Sequence, residues 1–273
     1  MKIKRHAAVV GFIAASALAL AACGSDQNAP AQGGDSGAVA PPANAATVEC
    51  GGKQALTGEG SSAQRGAMDL FVQAYGAKCS GAQFSYTASG SGNGKKQFTG
   101  GQVDIGGSDS ALNADETTAA TARCAGNPAW HLPVVFGPVA IAYKLDGVTD
   151  LTLNAEVAAK IFSGAVTTWN DPAIAALNSG KTLPAKPVRV FFRGDSSGTT
   201  DNFQKYLKAA SKGAWTKEAG TTFNGGVGEG KNGSAGVADG VAASDGGVTY
   251  VEWSFAQDKN LSIARVDSGS GPV

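Results

Sequence analysis

The residues able to do chemistry fall in four short stretches rich in Gly, Ser and Thr. The first is Thr57-Gly58-Glu59-Gly60-Ser61-Ser62 and the second Ala88-Ser89-Gly90-Ser91-Gly92-Asn93-Gly94. The third is Gly106-Gly107-Ser108-Asp109-Ser110, and the fourth runs from Arg193 through Asp195, Ser196, Ser197 and Gly198 to Thr199. Two chemistries compete for the fourth. Gly194-Asp195-Ser196-Ser197-Gly198 fits G-x-S-x-G, the turn that presents a nucleophilic serine. The same residues also suit an anion: backbone N–H groups at a helix start, rotating hydroxyl donors and one guanidinium.

A serine nucleophile needs a general base. The chain has two histidines, His6 and His131, and both precede the serine. His6 lies in a leader expected to be removed. The α/β-hydrolase order places the histidine after the serine, and the order His-Asp-Ser belongs to an all-β double barrel. A hydrolase using Ser196 with His131 therefore stands as the alternative to a binding site. Gly90–Lys96 is not a phosphate-binding P-loop, because Ser89 occupies the first glycine position and Lys96 the Ser/Thr position. No Cys/His set has metal-site spacing, and nothing in the sequence calls for a cofactor. The prediction is a binding module, not an enzyme.

Asp109 limits the ligand further. A carboxylate beside an anion repels it unless the anion carries a proton to donate, since an ionised carboxylate only accepts hydrogen bonds. Phosphate near neutral pH keeps a proton and sulfate does not, so Asp109 favours the former and penalises the latter. Asp195 is placed to orient Arg193 as a bidentate partner. Lys plus Arg and Asp plus Glu number 22 each, a formal net charge of zero. Such a chain has no broad basic face for nucleic acid, and an anion must be selected by local geometry.

These four stretches need elements to position them. Gln54–Thr57, Gln83–Ala88 and Gln102–Gly106 read as strands, and Ala63, Ala67, Leu70, Phe71, Ala74 and Tyr75 recur at helical spacing. Asn113 with Glu116 three residues on predicts a capping box that opens a helix through Ala122. Pro133–Tyr143 is a long β-rich run broken by Gly137-Pro138. Helices follow at Asn154–Phe162, Ala173–Asn178 and after Thr199, with a strand at Val188–Phe192. A Gly-rich loop, Gly225–Gly236, overlaps the start of helix Ser234–Ala243, which is followed by strand Gly247–Glu252. Strands alternating with helices predict largely parallel α/β layers, and each of the four stretches follows a strand, where ligands of open sheets bind.

The N-terminus predicts export. Lys2, Lys4 and Arg5 precede the apolar run Ala7–Leu20, which is short for a membrane span. Leu20-Ala21-Ala22-Cys23-Gly24 has the form of a lipobox, so residues 1–23 read as a lipoprotein signal peptide and Cys23 as its lipidation site. Residues 24–46, rich in Ala, Gly, Pro and Ser, read as a disordered tether. Three cysteines remain, and an oxidising compartment favours pairing. Cys79 and Cys124 each follow a helix of the first domain, so the expected disulfide is Cys79–Cys124, with Cys50 left for a partner elsewhere.

The sequence resembles the phosphate-binding lipoprotein of the bacterial ABC phosphate importer, the PstS-type substrate-binding protein. The resemblance rests on Leu56-Thr57-Gly58-x-Gly60-Ser61, Gly90-Ser91-Gly92, Asp104-x-Gly106-x-Ser108-Asp109 and Ile161-Phe162-Ser163-Gly164 with Thr168-Trp169-Asn170-Asp171. Further along it rests on Arg193-x-Asp195-x-Ser197-Gly198-Thr199, Gly226-x-Gly228-x-Gly230 and Gly247-x-x-x-Tyr250-x-Glu252. It implies a type II periplasmic-binding-protein-like α/β fold of two domains joined by hinge crossovers. The first domain would span 47–136 plus 260–273 and the second 137–259. It also implies that Ser62, the backbone of Ala63, Ser91, Asp109, Arg193, Asp195, Ser197, Gly198 and Thr199 contact inorganic phosphate in the cleft. Ser62 stands where the best-known members have Thr, and Ala63 where they have Phe. The implied partners are the membrane subunits of the importer, reached by a monomer anchored at the outer face of the cell membrane through its lipid. Because the chain stops soon after Leu261–Val266, the resemblance leads to the expectation that the C-terminal part of the first domain is missing, with apolar faces left uncovered.

Overall fold

The computed structural model describes residues 49–272. The expected signal peptide, its lipidation site Cys23 and the expected tether lie outside the described residues. The chain enters through β1 (Ala55–Gly60) and α1 (Arg65–Lys78), then β2 (Gln83–Thr87), α2 (Ser91–Thr99), β3 (Ile105–Gly107) and α3 (Ala114–Arg123). β1 lies between β2 and β3 and is parallel to both, with Leu56 opposite Phe84 and Gly58 opposite Ile105. Parallel pairing with a helix between strands puts every β-to-α turn at one edge of this sheet. The capping box forms as its residues predict: Asn113 accepts from the Glu116 N–H, and Glu116 accepts from the Asn113 N–H, both at 2.8 Å.

Helix α2 was not evident in the sequence, where Ala88–Gly94 reads as a loop. Its glycines are there for close approach. A Cβ on Gly94 would stand 2.5 Å from the Gly107 carbonyl oxygen and 2.6 Å from Gly60 Cα, so α2 packs directly on the backbone of β1 and β3. The lowered helix propensity of glycine is the local cost of that packing.

Residues 124–138 form neither helix nor strand. The β run expected from Pro133 starts only at Val139, because Pro133 and Pro138 lack the N–H a ladder needs. The second half then contains β4 (Val139–Lys144), β5 (Thr152–Asn154), α4 (Ala155–Phe162), α5 (Pro172–Ala176), β6 (Arg189–Arg193) and α6 (Gly198–Ala210). After these come β7 (Glu229–Lys231), α7 (Gly233–Ala242), β8 (Gly247–Glu252), α8 (Trp253–Asp258), β9 (Ser262–Ile263) and β10 (Arg265–Asp267). The larger sheet has the order β7-β6-β8-β4-β9. β6 is parallel to β7 and β8, whereas β4 runs antiparallel to β8 and β9. The segment 260–273, expected to join the first domain, pairs otherwise: β9 joins β4, and β10 runs parallel to β5. The short link between α8 and β9 leaves no room for a longer return.

The main core sits against the larger sheet. Trp169, Tyr143, Tyr250, Phe162, Ile161 and Leu207 are fully buried in one cluster. Phe203 of α6 stacks on Tyr250 of β8 with centroids 4.5 Å apart, and Phe162 meets Phe203 edge-on at 4.8 Å. Each such ring stabilises the fold by roughly 1.5–3 kcal/mol through burial, and together they fix α6 and hence its first turn. The smaller sheet is less covered. Of the hydrophobic residues between 49 and 138, Met68, Cys79 and Ala120 are buried, while Phe71, Ile105, Trp130, Leu132 and Phe136 are exposed.

The disulfide differs from expectation. Cys50 bonds Cys79, with Cα atoms 5.3 Å apart, and Cys124 is the free cysteine among the described residues. Sheet register explains the pairing. Ala55 lies opposite Gln83, so the residues just ahead of β1 and β2 emerge side by side, with Cys50 on one segment and Cys79 on the other. Cys124 ends α3, whose sequence follows the opposite edge strand, β3.

Candidate functional site

The loops that follow β1, β2 and β3 meet those that follow β6 and β7. At the first loop, Gly60 has φ +143°, and a Cβ there would stand 2.0 Å from the Gly107 carbonyl oxygen, so only glycine fits. That closeness lets Ser61 N–H donate to Gly107 (2.9 Å) and draws the Asp109 loop beside Ser61. Asp109 then gathers donors from three elements. Ser61 Oγ and Ser91 Oγ donate to its Oδ2 at 2.5 and 3.1 Å, and Gln64 Nε2 donates to its Oδ1 at 3.2 Å. Ser91 Oγ also accepts from the Asp109 N–H at 3.2 Å. The Ala63 N–H donates to Ser61 Oγ at 3.1 Å.

Arg193 ends β6 with its side chain only 2% exposed. Its Nε and Nη2 donate to the two oxygens of Asp195 at 2.7 and 2.5 Å, the bidentate pair the sequence predicts. Burial opposes the negative charge of Asp195. The two hydrogen bonds from Arg193, its positive charge and the Gly233 N–H outweigh that opposition and hold the carboxyl below the usual carboxylate range. The Arg193 N–H donates to the hydroxyl of Tyr250 at 3.2 Å. Burial, above all, pushes that phenol up to about 12, so it stays neutral.

At the first turn of α6, Ser197 accepts from the Thr200 N–H as N-cap. Ser197, Gly198 and Thr199 are all buried. Thr199 Oγ1 donates to Glu252 Oε1 at 2.6 Å, while Glu252 Oε2, also buried, has no hydrogen-bond partner among the described residues.

Several hydrogen bonds join the two sets of loops, among them these three. Gly92 N–H donates to the Ser196 carbonyl at 3.0 Å, Asn202 Nδ2 donates to the Asp109 carbonyl at 2.8 Å, and Ser234 N–H donates to Ser62 Oγ at 3.0 Å. The structure thus brings all nine predicted residues, 62, 63, 91, 109, 193, 195 and 197–199, into one polar junction. A cavity of about 300 Å³ adjoins it, lined by Ala63, Asp109 and Thr199 together with Gln64, Asn202 and Glu252. The sequence reading missed Ser61, Gln64, Ser234 and Glu252 as members of the site. A signal for Ser234 was present, because Gly233-Ser234 opens a helix after a glycine-rich strand end, as the other four loops do. Glu252 stands in the motif Gly247-x-x-x-Tyr250-x-Glu252, which assigned it no role at the site.

Among the described residues, the hydrolase alternative finds no Ser196–His131 hydrogen bond to support it. Ser196 Oγ donates to Thr221 Oγ1 at 2.9 Å. His131 lines a groove of about 790 Å³ with Phe71, Phe98, Trp130 and Leu132; this groove reaches Gln64, Ser108 and Asp109 of the junction, but Ser196 is not among its lining residues. Nor do the described residues contain a group of three or more His, Cys, Asp or Glu able to hold a metal ion.

The chain's similarities agree with this architecture. The model of the PBP superfamily domain matches residues 26–272. Phosphate-binding protein PstS 3 of Mycobacterium tuberculosis is 50% identical over 271 residues, covering 99% of this chain and 72% of that protein. Among solved structures, the phosphate-binding protein from Stenotrophomonas maltophilia superposes with a TM-score of 0.61 at 25% identity, over 79% of this chain and 65% of its own. The high-affinity periplasmic phosphate-binding protein PfluDING, solved with phosphate bound, superposes with a TM-score of 0.58 at 28% identity, over 77% and 61%.

Proposed function

The chain belongs to the PBP superfamily and to its phosphate-binding proteins, and from that premise we propose that it binds inorganic phosphate between its two sets of loops and delivers it to an ABC importer. The observation that carries this reading is the Arg193–Asp195 pair, buried where the first turns of α2, α6 and α7 converge. Four features form an anion cradle: backbone N–H groups, hydroxyls of Ser62, Ser91, Ser197 and Thr199, one oriented guanidinium, and one carboxylate, Asp109, facing them. Ser62, the Ala63 N–H, Ser91, Arg193, Ser197, and the Gly198 and Thr199 backbone donate to phosphate oxygens. Asp195 holds Arg193 in register. Asp109 accepts the proton that phosphate keeps and sulfate lacks.

The chain works as two α/β lobes, roughly 47–136 and 137–259, that close on the ion. Segment 260–267 belongs with the second lobe on the strength of its pairing with β4 and β5. Closure excludes water and strengthens each hydrogen bond in the cleft. The protein holds its ligand without breaking a bond. It acts outside the cell membrane as a monomer, tethered through a lipid on Cys23. Isothermal titration with phosphate and then sulfate tests the reading: tight phosphate binding with sulfate failing to compete is expected, and equal binding of the two ions would overturn it.

A further inference from the structure

Helix α7 spends its first donors on this junction. The side chain of its N-cap, Asn232, makes no capping hydrogen bond. The exposed N–H groups of a helix start need other acceptors. Gly233 N–H donates to Asp195 Oδ1 at 3.0 Å, and Ser234 N–H donates to Ser62 Oγ at 3.0 Å. Ser234 is fully buried and Ser62 nearly so. Their hydroxyl oxygens are 3.0 Å apart, and Arg193 Nη1 donates to Ser234 Oγ at 3.3 Å.

Counting protons makes this pair informative. Ser62 and Ser234 carry two hydroxyl protons, and their mutual hydrogen bond uses one. The second has no acceptor among the described residues. It is a spare donor, dry, beside a guanidinium and at a helix start of ten residues, and an anion oxygen is the acceptor that suits it. We propose that Ser234 is a further residue of the anion site: paired with Ser62, it presents one hydroxyl proton to the bound anion and couples the loop after β1 to Arg193. This rests on the phosphate reading above and adds to it a residue from a fifth loop, on the wall opposite Ser62.

The experiment is a double-mutant cycle by calorimetry with inorganic phosphate. Ser234→Ala and Ser62→Ala are each expected to weaken binding about tenfold or more, as loss of a hydrogen bond to a charged group does. Because the pair offers the anion a single proton, the double variant is expected to lose about as much as the worse single variant. Because side chains in contact couple whatever their role, the discriminating readout is the pair of Ser234 variants that keep or weaken the donor. Ser234→Thr, which keeps the hydroxyl, restores affinity, and Ser234→Cys, close in volume but a weak donor, behaves as Ser234→Ala. Wild-type affinity in Ser234→Ala or Ser234→Cys, or a double variant whose loss is the product of the two single losses, overturns the proposal. If the unmutated chain itself fails to bind phosphate, the phosphate reading falls, and this proposal with it. Normal binding by the wild type and by Ser234→Ala removes Ser234 alone.

Discussion

Gly92→Ala separates closure of the cleft from stability of the fold, because the two effects have opposite signs. Gly92 lies in the first turn of α2, against the loop of Ser196 from the other wall. A Cβ there would stand 2.1 Å from Ser196 Oγ, 2.3 Å from Ser196 Cβ and 3.4 Å from the Ser196 carbonyl oxygen. Carbon atoms rest about 3.5–4.0 Å apart, so the walls must part by more than 1 Å. Rotating the Ser196 hydroxyl does not help, since its own Cβ is in the way. Overpacking of this kind costs about 1–3 kcal/mol, which is roughly 5- to 150-fold in the closing equilibrium. It also lengthens the hydrogen bond from Gly92 N–H to Ser196. With the walls apart, alanine instead of glycine favours the helix by about 0.8–1 kcal/mol. Calorimetry is therefore expected to show phosphate affinity reduced about 5- to 150-fold, while the ligand-free melting midpoint holds or rises. Adding Ser196→Gly removes both offending atoms and is expected to restore affinity. Unchanged binding in Gly92→Ala would refute the reasoning. So would a clear fall in the ligand-free midpoint, which would mean that the two walls are one rigid body and do not close.

Asp109→Asn is expected to weaken phosphate less than it admits sulfate, because an amide donates to a fully ionised oxyanion; competition calorimetry in which sulfate still fails against the variant contradicts this role. Cys79→Ala removes a bridge of sequence separation 29 and is expected to cost about 3–4 kcal/mol in the chain-entropy account, whereas Cys124→Ala is expected to cost under ~1 kcal/mol; equal urea midpoints for the two would mean that the Cys50–Cys79 bond adds nothing. Asp195 has a carboxyl held below its ordinary value, so its stabilisation is whole above the ordinary carboxylate range and is lost as pH falls through the depressed native value. Thermal midpoints of the wild type are accordingly expected to drop more steeply than those of Asp195→Asn once pH falls below about 4, and parallel profiles would show that the Arg193 pair contributes nothing.

The local features of the polar junction were more legible in the sequence than its long-range contacts. Glycines and hydroxyls before helices are local signals, and Asn113 with Glu116 or Ser197 with Thr200 act within one turn. Arg193 and Asp195 pair across two residues, which spacing alone suggests. What escaped were facts of register. Cys50 meets Cys79 because Ala55 faces Gln83, a match between strands 28 residues apart that no local pattern records. Helix α2 escaped because Gly92 and Gly94 are selected by close approach of other elements, the Ser196 side chain and the Gly60 and Gly107 backbone respectively, which overrides their poor helix propensity. The run from Pro133 is apolar enough for a strand, but Pro133 and Pro138 lack the N–H a ladder needs, so β4 starts only at Val139.

The charges at the site explain why it is built from so many neutral groups. One guanidinium, Arg193, sits among three carboxylates: Asp195, Asp109 and Glu252. Asp195 alone takes up the guanidinium's charge, so simple charge attraction does not draw an anion here. The attraction comes from helix starts. The loops of α1, α2, α6 and α7 converge on the junction, and each helix N-terminus carries about +0.5 of an elementary charge. Such dipoles are fixed in place, and they hold an anion only where its oxygens meet the N–H and hydroxyl donors. Asp109 and Glu252 then act as acceptors facing the ligand side of the cradle, Glu252 through Thr199. On the proposed reading, an anion with no proton would meet their lone pairs and be disfavoured, whereas a protonated one would satisfy them. On that reading, selection for protonated phosphate would follow from setting surplus carboxylates inside a ring of dipoles, in a chain whose formal net charge is zero.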